Sequence, residues 1–196
     1  MSGPVRTRVS VADPEAMHEL GVSLGRVLAA GDLLLLTGPL GAGKTTLTRG
    51  IGEGLGVRGP VQSPTFVLAR THPSLVGGAP LVHVDAYRLA GDGGSGAVEL
   101  DDLDIDFEGS VVVAEWGAGV IDTPESWIEA AIERPVGGSA EAEPADRGAA
   151  EPREDAEAVI GPGTGADDED WSETPVEPRI VTITAHGPRW AEGVFR

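Results

Sequence analysis

The sequence predicts an α/β domain with a mainly parallel sheet flanked by helices. Two observations carry this. Leu33 to Thr37, Leu81 to Asp85 and Val111 to Glu115 are apolar runs of strand length with little alternation, as expected of strands buried on both faces. Segments of helical character alternate with such runs along the chain. The length of 196 residues suits one ordinary domain, and no internal repeat is visible.

In chain order, Val5 to Val11 alternates apolar and polar residues and reads as a short strand. Asp13-Pro14-Glu15 starts a helix, with Asp at the N-cap, Pro at N1 and an acid in the first turn. That helix is predicted to run to about Ala30, with Met17, Leu20, Leu24, Val27 and Leu28 on one face and Gly31 at C′. After the strand at Leu33 to Thr37 comes a glycine-rich turn, then a helix from Lys44 to about Leu55 closed by Gly56. A strand over Phe66 to Arg70 is expected after the Ser63-Pro64 turn. Ala97 to Phe107 reads as a short acidic helix and loop. Trp127 to Glu133 reads two ways. Thr123-Pro124-Glu125 resembles a helix start, but Ile128, Ala130 and Ile132 recur at strand period. Arg179 to Ala185 is a clearer strand.

Composition excludes several classes of protein. There is no cysteine, hence no disulfide framework, thiolate zinc site or Cys nucleophile. No apolar run approaches the roughly 18–20 residues that span a bilayer, and the N-terminus leads into no apolar core of a secretory signal. A cytoplasmic protein without membrane attachment is the expectation. The formal charge of −18 argues against nonspecific binding to DNA or RNA, which runs on Lys and Arg. Residues 134–178 hold 13 acids and three bases. With few aliphatic or aromatic residues they cannot bury enough apolar area to offset ordering entropy. They are predicted to be a disordered acidic insert within a single domain formed by residues 1–133 and 179–196.

Lys44 is the only lysine in the chain. It lies in Gly38-Pro39-Leu40-Gly41-Ala42-Gly43-Lys44-Thr45, which matches G-x-x-x-x-G-K-[ST] between a buried strand and a helix. Backbone N–H groups facing inward around a phosphate need conformations that glycine tolerates, and the helix N-terminus adds partial positive charge. The motif thus points to a nucleotide whose phosphates are cradled by Gly38, Leu40, Gly41, Ala42, Gly43, Lys44, Thr45 and Thr46. Lys44 reaches the β and γ phosphates, and the Thr45 hydroxyl ligates Mg²⁺. Asp85 and Glu115 end buried strands, where carboxylates point into the crevice that binds ligands. Asp85 takes the Walker B position. Glu115 either ligates the metal or positions the attacking water. Thr65, in Ser63-Pro64-Thr65-Phe66, belongs either to an ordinary proline turn or to a switch loop near the γ-phosphate. His83 reads as a satisfied core histidine and Trp116 as packing; Tyr87 and Arg88 follow Asp85 on a loop at the same edge.

Taken together, Gly38 to Thr46, Ser63-Pro64-Thr65-Phe66, His83-Val84-Asp85-Ala86-Tyr87-Arg88-Leu89 and Glu115-Trp116 resemble the TsaE (YjeE) family of bacterial ATPases. The resemblance spans about residues 9–133 and resumes near 179–190. It implies a P-loop NTPase domain that binds and slowly hydrolyses ATP with Mg²⁺. It also implies action on a TsaB–TsaD complex, which installs threonylcarbamoyl on the adenosine next to the anticodon of tRNAs reading codons that begin with A. The tRNA would be met only through that complex. By match of motif, Thr45 and Glu115 hold Mg²⁺, Asp85 is the Walker B acid, Thr65 lies in the switch loop, Trp116 flanks the site, and Ala12 to Glu15 approach the adenine. The family also implies that Trp127–Glu133 and Arg179–Ala185 pair as a C-terminal antiparallel hairpin. The 45 residues between them depart from its usual short turn, and the glycine-rich Asp92–Gly96 departs from its helix.

Three rival readings compete with this one, and the sequence excludes one of them. A small-molecule kinase on the same scaffold needs an Arg-bearing lid, and only Arg88 lies between Asp85 and Glu115. A GTPase with an N-K-x-D motif is excluded, because the sole lysine is already used. A nonhydrolytic nucleotide-sensing subunit differs from an ATPase only in turnover.

Overall fold

The structure, a computed structural model, describes residues 3–64, 67–86, 105–134 and 178–195. Its elements are β1 (Val5–Val11), α1 (Pro14–Gly25), β2 (Leu33–Thr37), α2 (Lys44–Leu55), β3 (Ala69–His72), β4 (Leu81–Asp85), β5 (Val111–Glu115), β6 (Trp127–Glu133) and β7 (Arg179–His186), with a 3-10 turn at Pro188–Trp190. The strands form one seven-stranded sheet in the order β1-β7-β6-β2-β5-β4-β3. No helix among the described residues is long and apolar enough to cross a membrane.

The expected mainly parallel sheet is corrected to a mixed one. Parallel pairing is confined to β6-β2-β5-β4 at the centre. The flanking pairs β1-β7, β7-β6 and β4-β3 are antiparallel. The reason is visible in the side chains. The central strands β2, β4 and β5 are apolar on both faces, whereas β1 alternates between half-buried and exposed positions and β6 between half-buried and buried ones. A strand with one wet face fits antiparallel pairing.

The ambiguity at Trp127–Glu133 resolves as a strand. It pairs with β2 through Leu34↔Ile128 and Leu36↔Ala130, and with β7 through Ile128↔Ala185 and Ile132↔Val181. Ile128, Ala130 and Ile132 are buried, so the period of two outweighs the local helix-start signal. Trp127 stacks on His186 with ring centroids 4.0 Å apart, which carries β7 one residue beyond the expected Ala185. Two other bounds differ from expectation. β3 begins at Ala69 because Val67 and Leu68 turn back to the Pro64 carbonyl. The expected strand start at Phe66 and most of the acidic helix over 97–107 lie outside the described residues, as does nearly all of the insert over 134–178.

Helix α1 begins as expected, with the Asp13 carboxylate accepting from the Ala16 amide at 2.8 Å. A cap of this kind contributes about 1 kcal/mol. It ends at Gly25, not near Ala30. The Ala29 amide, which would have continued the ladder, donates instead to Asp32 Oδ2 at 2.7 Å. The same carboxylate holds Arg189 in a fork, with Nε 2.6 Å from Oδ1 and Nη2 2.7 Å from Oδ2. This ties the C-terminal turn to the start of β2. The apolar face of α1 is also narrower than expected. Met17, Leu20, Leu24 and Leu28 are buried, but Val27 is exposed.

Gly21 and Gly25 fill the rest of that face. A Cβ at Gly21 would lie 2.9 Å from Gly50 Cα, and one at Gly25 would lie 2.9 Å from Gly54 Cα. The two helices therefore meet backbone to backbone, which brings α1 against the helix that opens the glycine-rich turn. On that face they share a core with Leu34, Leu36, Val111, Val113, Ile128 and Ile183. Leu33, Leu35, Val82, Val84, Val112 and Ala114 alternate with these and form a second core with Ile121 on the opposite face.

Candidate functional site

The loop from Gly38 to Gly43 leaves β2 and enters α2 at the carboxyl edge of the parallel strands. Gly38, Gly41 and Gly43 have φ of +147°, +71° and +108°. A side chain is strained at each of these angles, so the loop's path demands glycine there. Gly43 caps α2 with its carbonyl, which accepts from the Leu47 amide at 2.9 Å, and no side chain bonds the helix N-terminus. The first amides of α2 are thus left for a ligand, at the positive end of the helix dipole.

A cavity of about 600 Å³ opens there, lined by Leu40, Gly41, Ala42, Gly43, Lys44, Thr45, Thr46, Ser63, Asp85, Glu115 and Trp116. Of the candidate phosphate-loop and carboxylate residues within the described part of the chain, all but Gly38 line it. Gly38 contributes its carbonyl, which accepts from Lys44 Nζ at 2.9 Å; Pro39 O accepts from the same nitrogen at 3.2 Å. Thr65, Tyr87 and Arg88 lie outside the described residues. Ala12 to Glu15 carry the end of β1 and the start of α1; they do not line the cavity. One turn on, the Met17 side chain lies 3.3 Å from where a Cβ of Gly43 would be.

Asp85 and Glu115 are cross-strand partners at the ends of adjacent parallel strands, which is why both reach one cavity. Asp85 is half-buried, and its amide donates to Leu68 O at 2.8 Å. Leu68 adopts a φ of +63°, a strained angle for leucine that turns its carbonyl toward β4. Glu115 is only 7% exposed.

Trp116 lines the cavity, as the family resemblance implied, and two residues make contacts there that the sequence did not reveal. His83 is buried, as expected, but its Nε2 lies 2.9 Å from Glu115 Oε1. It is a partner of the site's carboxylate, and its Nδ1 is buried with no hydrogen-bond partner. Trp116 does not simply pack. Its ring centroid lies 4.5 Å from Lys44 Nζ, a cation–π contact. Its backbone turns there with φ +62° while its amide donates to Leu36 O at 2.9 Å. A third residue, Arg134, expected to begin the disordered insert, is held at the glycine-rich loop. Its Nη2 donates to Gly41 O at 3.3 Å across 93 positions of sequence. Strand period carried part of the His83 signal, since His83 and Asp85 share a face of β4. The offset to Glu115 needed the inter-strand register.

The donor set suits a hard divalent cation. The Thr45 hydroxyl and the Asp85 and Glu115 carboxylates are oxygen donors on one cavity. Among the described residues no cluster of three or more His, Asp or Glu could hold a metal alone. Mg²⁺ is commonly bound in this way, through one or two carboxylates with waters and substrate phosphates completing the octahedron. Chemically, then, the cavity combines an uncapped helix N-terminus, one buried ammonium and two carboxylates in its lining.

Comparison with known proteins gives one answer throughout. A family model described as "Threonylcarbamoyl adenosine biosynthesis protein TsaE" matches residues 11–138. A Streptomyces coelicolor protein named tRNA threonylcarbamoyladenosine biosynthesis protein TsaE is 58% identical over 128 residues, 64% of this chain and 84% of its own length. A Mycobacterium tuberculosis protein of the same name is 52% identical over 107 residues, 53% of this chain and 64% of its own. The chain thus spans just under two thirds of that mycobacterial relative. The Bacillus subtilis protein of this name is 35% identical over 126 residues, 62% of this chain and 74% of its own. Among solved structures, the crystal structure of Bacillus subtilis YdiB aligns with a TM-score of 0.60 and 25% identity, covering 98% of this chain and 93% of that one.

Proposed function

The chain belongs to the TsaE family, and on that premise we propose that it is a P-loop ATPase of threonylcarbamoyladenosine biosynthesis in tRNA. One observation supports the reading above all. Three left-handed glycines lead into an uncapped helix N-terminus, with Lys44, Asp85 and Glu115 on the same cavity. This arrangement suits the triphosphate of ATP. The amides of residues 41–46 cradle the β-phosphate, and Lys44 Nζ exchanges its loop carbonyls for the β and γ oxygens. Water attacks the γ-phosphorus in line, the bond from γ-phosphorus to the bridging oxygen breaks, ADP leaves as an oxyanion, and both protons of the water leave with the inorganic phosphate.

Phosphoryl transfer asks mainly for positioning and charge stabilisation. Lys44 supplies fixed charge to the leaving oxygen. The Thr45 hydroxyl, Asp85 and Glu115 would hold Mg²⁺. When bound, the ion neutralises charge developing on the β and γ oxygens. His83 holds Glu115 at one angle. Thr65 would approach the γ-phosphate from the switch loop.

Turnover is proposed to act on a TsaB–TsaD complex, through which tRNA is reached. The decisive experiment measures Mg²⁺-dependent phosphate release by the purified protein, alone and with TsaB and TsaD from the same organism. Stimulated release supports the reading. Absence of ATP binding in both settings overturns it. Transfer of the γ-phosphate to a small acceptor would instead favour the kinase alternative.

A further inference from the structure

We propose that Arg134 is the residue on which the nucleoside end of bound ATP packs, with the guanidinium plane lying against the base. The inference rests on the ATP reading above and adds to it the residue that distinguishes a nucleotide from a bare polyphosphate. Sheet order supplies the direction. The glycine-rich loop springs from β2. On one side of β2 lie β5 and β4, which end in Glu115 and Asp85. On the other side lies β6, parallel to β2 and in register through Thr37↔Ala131. All four strands therefore open at one edge. A triphosphate whose γ end meets the two carboxylates must carry its nucleoside the opposite way along the loop, toward the end of β6.

Arg134 is the first residue beyond that end. Its Nη2 donates to Gly41 O at 3.3 Å and lies 3.2 Å from where a Gly41 Cβ would be, so the guanidinium rests on the loop itself. Arg134 is exposed, and among the described residues this is its one side-chain hydrogen bond. Among the described residues nothing else hydrogen-bonds its remaining N–H groups, which leaves them to a ligand. A guanidinium pinned at one nitrogen is a preorganised stacking plane, and such planes accept any base.

The test compares ADP with inorganic diphosphate, each titrated into the full-length protein with Mg²⁺. Arg134→Ala is expected to weaken ADP roughly tenfold, the scale of a well-formed cation–π or stacking contact. It should leave diphosphate within about twofold, as only the nucleoside loses a partner. Arg134→Lys keeps a charge and a donor for Gly41 O but loses the plane, and is expected to follow Arg134→Ala. Equal losses for ADP and diphosphate would show that Arg134 serves the loop or the phosphates and would overturn the proposal. So would unchanged ADP affinity in both variants. Wild-type protein that binds neither probe would overturn the ATP reading itself, an outcome distinct from either.

Discussion

His83 Nε2 lies 2.9 Å from Glu115 Oε1, and both side chains are buried. A carboxylate only accepts, so in this bond His83 Nε2 carries a proton and donates it. His83 thereby fixes the direction of a carboxylate at the centre of the candidate site. Removing an outer partner of this kind typically costs ten- to a hundredfold in activity or metal affinity, on the order seen for groups that orient metal ligands. His83→Leu is expected to lower kcat about that much with KM for ATP little changed. His83→Gln, which can still donate, should recover part of the loss. Steady-state kinetics over a range of Mg²⁺ concentrations checks this; equal kcat in wild type and His83→Leu would refute it.

Lys44→Ala should abolish ATP turnover while the protein still melts cooperatively. No second lysine exists to replace it. The variant also loses the two bonds from Nζ to Gly38 O and Pro39 O that close the loop on itself. Lys44→Arg should not rescue, because a planar fork cannot replace a compact ammonium at this buried point. Phosphate release and thermal melting of the three proteins decide the matter.

Glu115→Gln and Asp85→Asn are each expected to lose Mg²⁺-dependent hydrolysis by orders of magnitude. Both substitutions keep side-chain volume, so melting temperatures should change little. If both variants hydrolyse ATP like wild type, the chemistry lies elsewhere in the chain.

Gly50→Ala separates two opposed effects. In an isolated helix the change stabilises by about 1 kcal/mol. Here the new Cβ falls against His18 O and lies 2.9 Å from Gly21 Cα. Backbone cannot rotate out of the way, so overpacking wins, at a cost of roughly 1–3 kcal/mol. A lower midpoint in urea unfolding is the expected result, and a higher one would mean that α1 and α2 do not pack as described.

His72 supplies a pH dependence. Burial pushes its imidazole below the ordinary value, despite the opposing hydrogen bond from Nδ1 to Arg58 O; His83 and Arg70 also lower it. The unfolded chain then takes up a proton more readily than the folded one. Stability is therefore retained above about pH 6.5, the ordinary histidine value, and falls as pH drops below it. His72→Gln should flatten that fall, measured as the difference in urea midpoint between pH 7.5 and 5.5. An identical slope in both proteins would assign the acid sensitivity to other groups.

Much of this molecule is legible in local signals. The Asp13 cap, the glycine that closes α2 and the strand bounds of β1, β2, β4 and β5 follow from periodicity and capping chemistry, which act within a few residues; the local signals at β6 conflict, and pairing with β2 and β7 settles it. The cradle from Gly38 to Thr46 was legible for the same reason, since its geometry is set by three glycines and the helix they open. Where the sequence misleads, a distant residue has intervened. Asp32 and Arg189, 157 positions apart, end α1 early by taking the Ala29 amide and the Val27 carbonyl.

By itself, then, the sequence determined the alternation of strands and helices, the glycine-rich loop that opens α2 and the two carboxylates that end neighbouring strands. Only the tertiary structure decided that the sheet is mixed, that α1 and α2 meet through glycine backbones, that Trp116 lies against Lys44, and that His83 and Arg134 belong to the loop's surroundings. The physical reason is that hydrogen-bonded turns and side-chain periods are short-range, whereas strand order and register are collective. His83 finds Glu115, and Arg134 finds Gly41, only once the whole sheet has set which ends stand side by side.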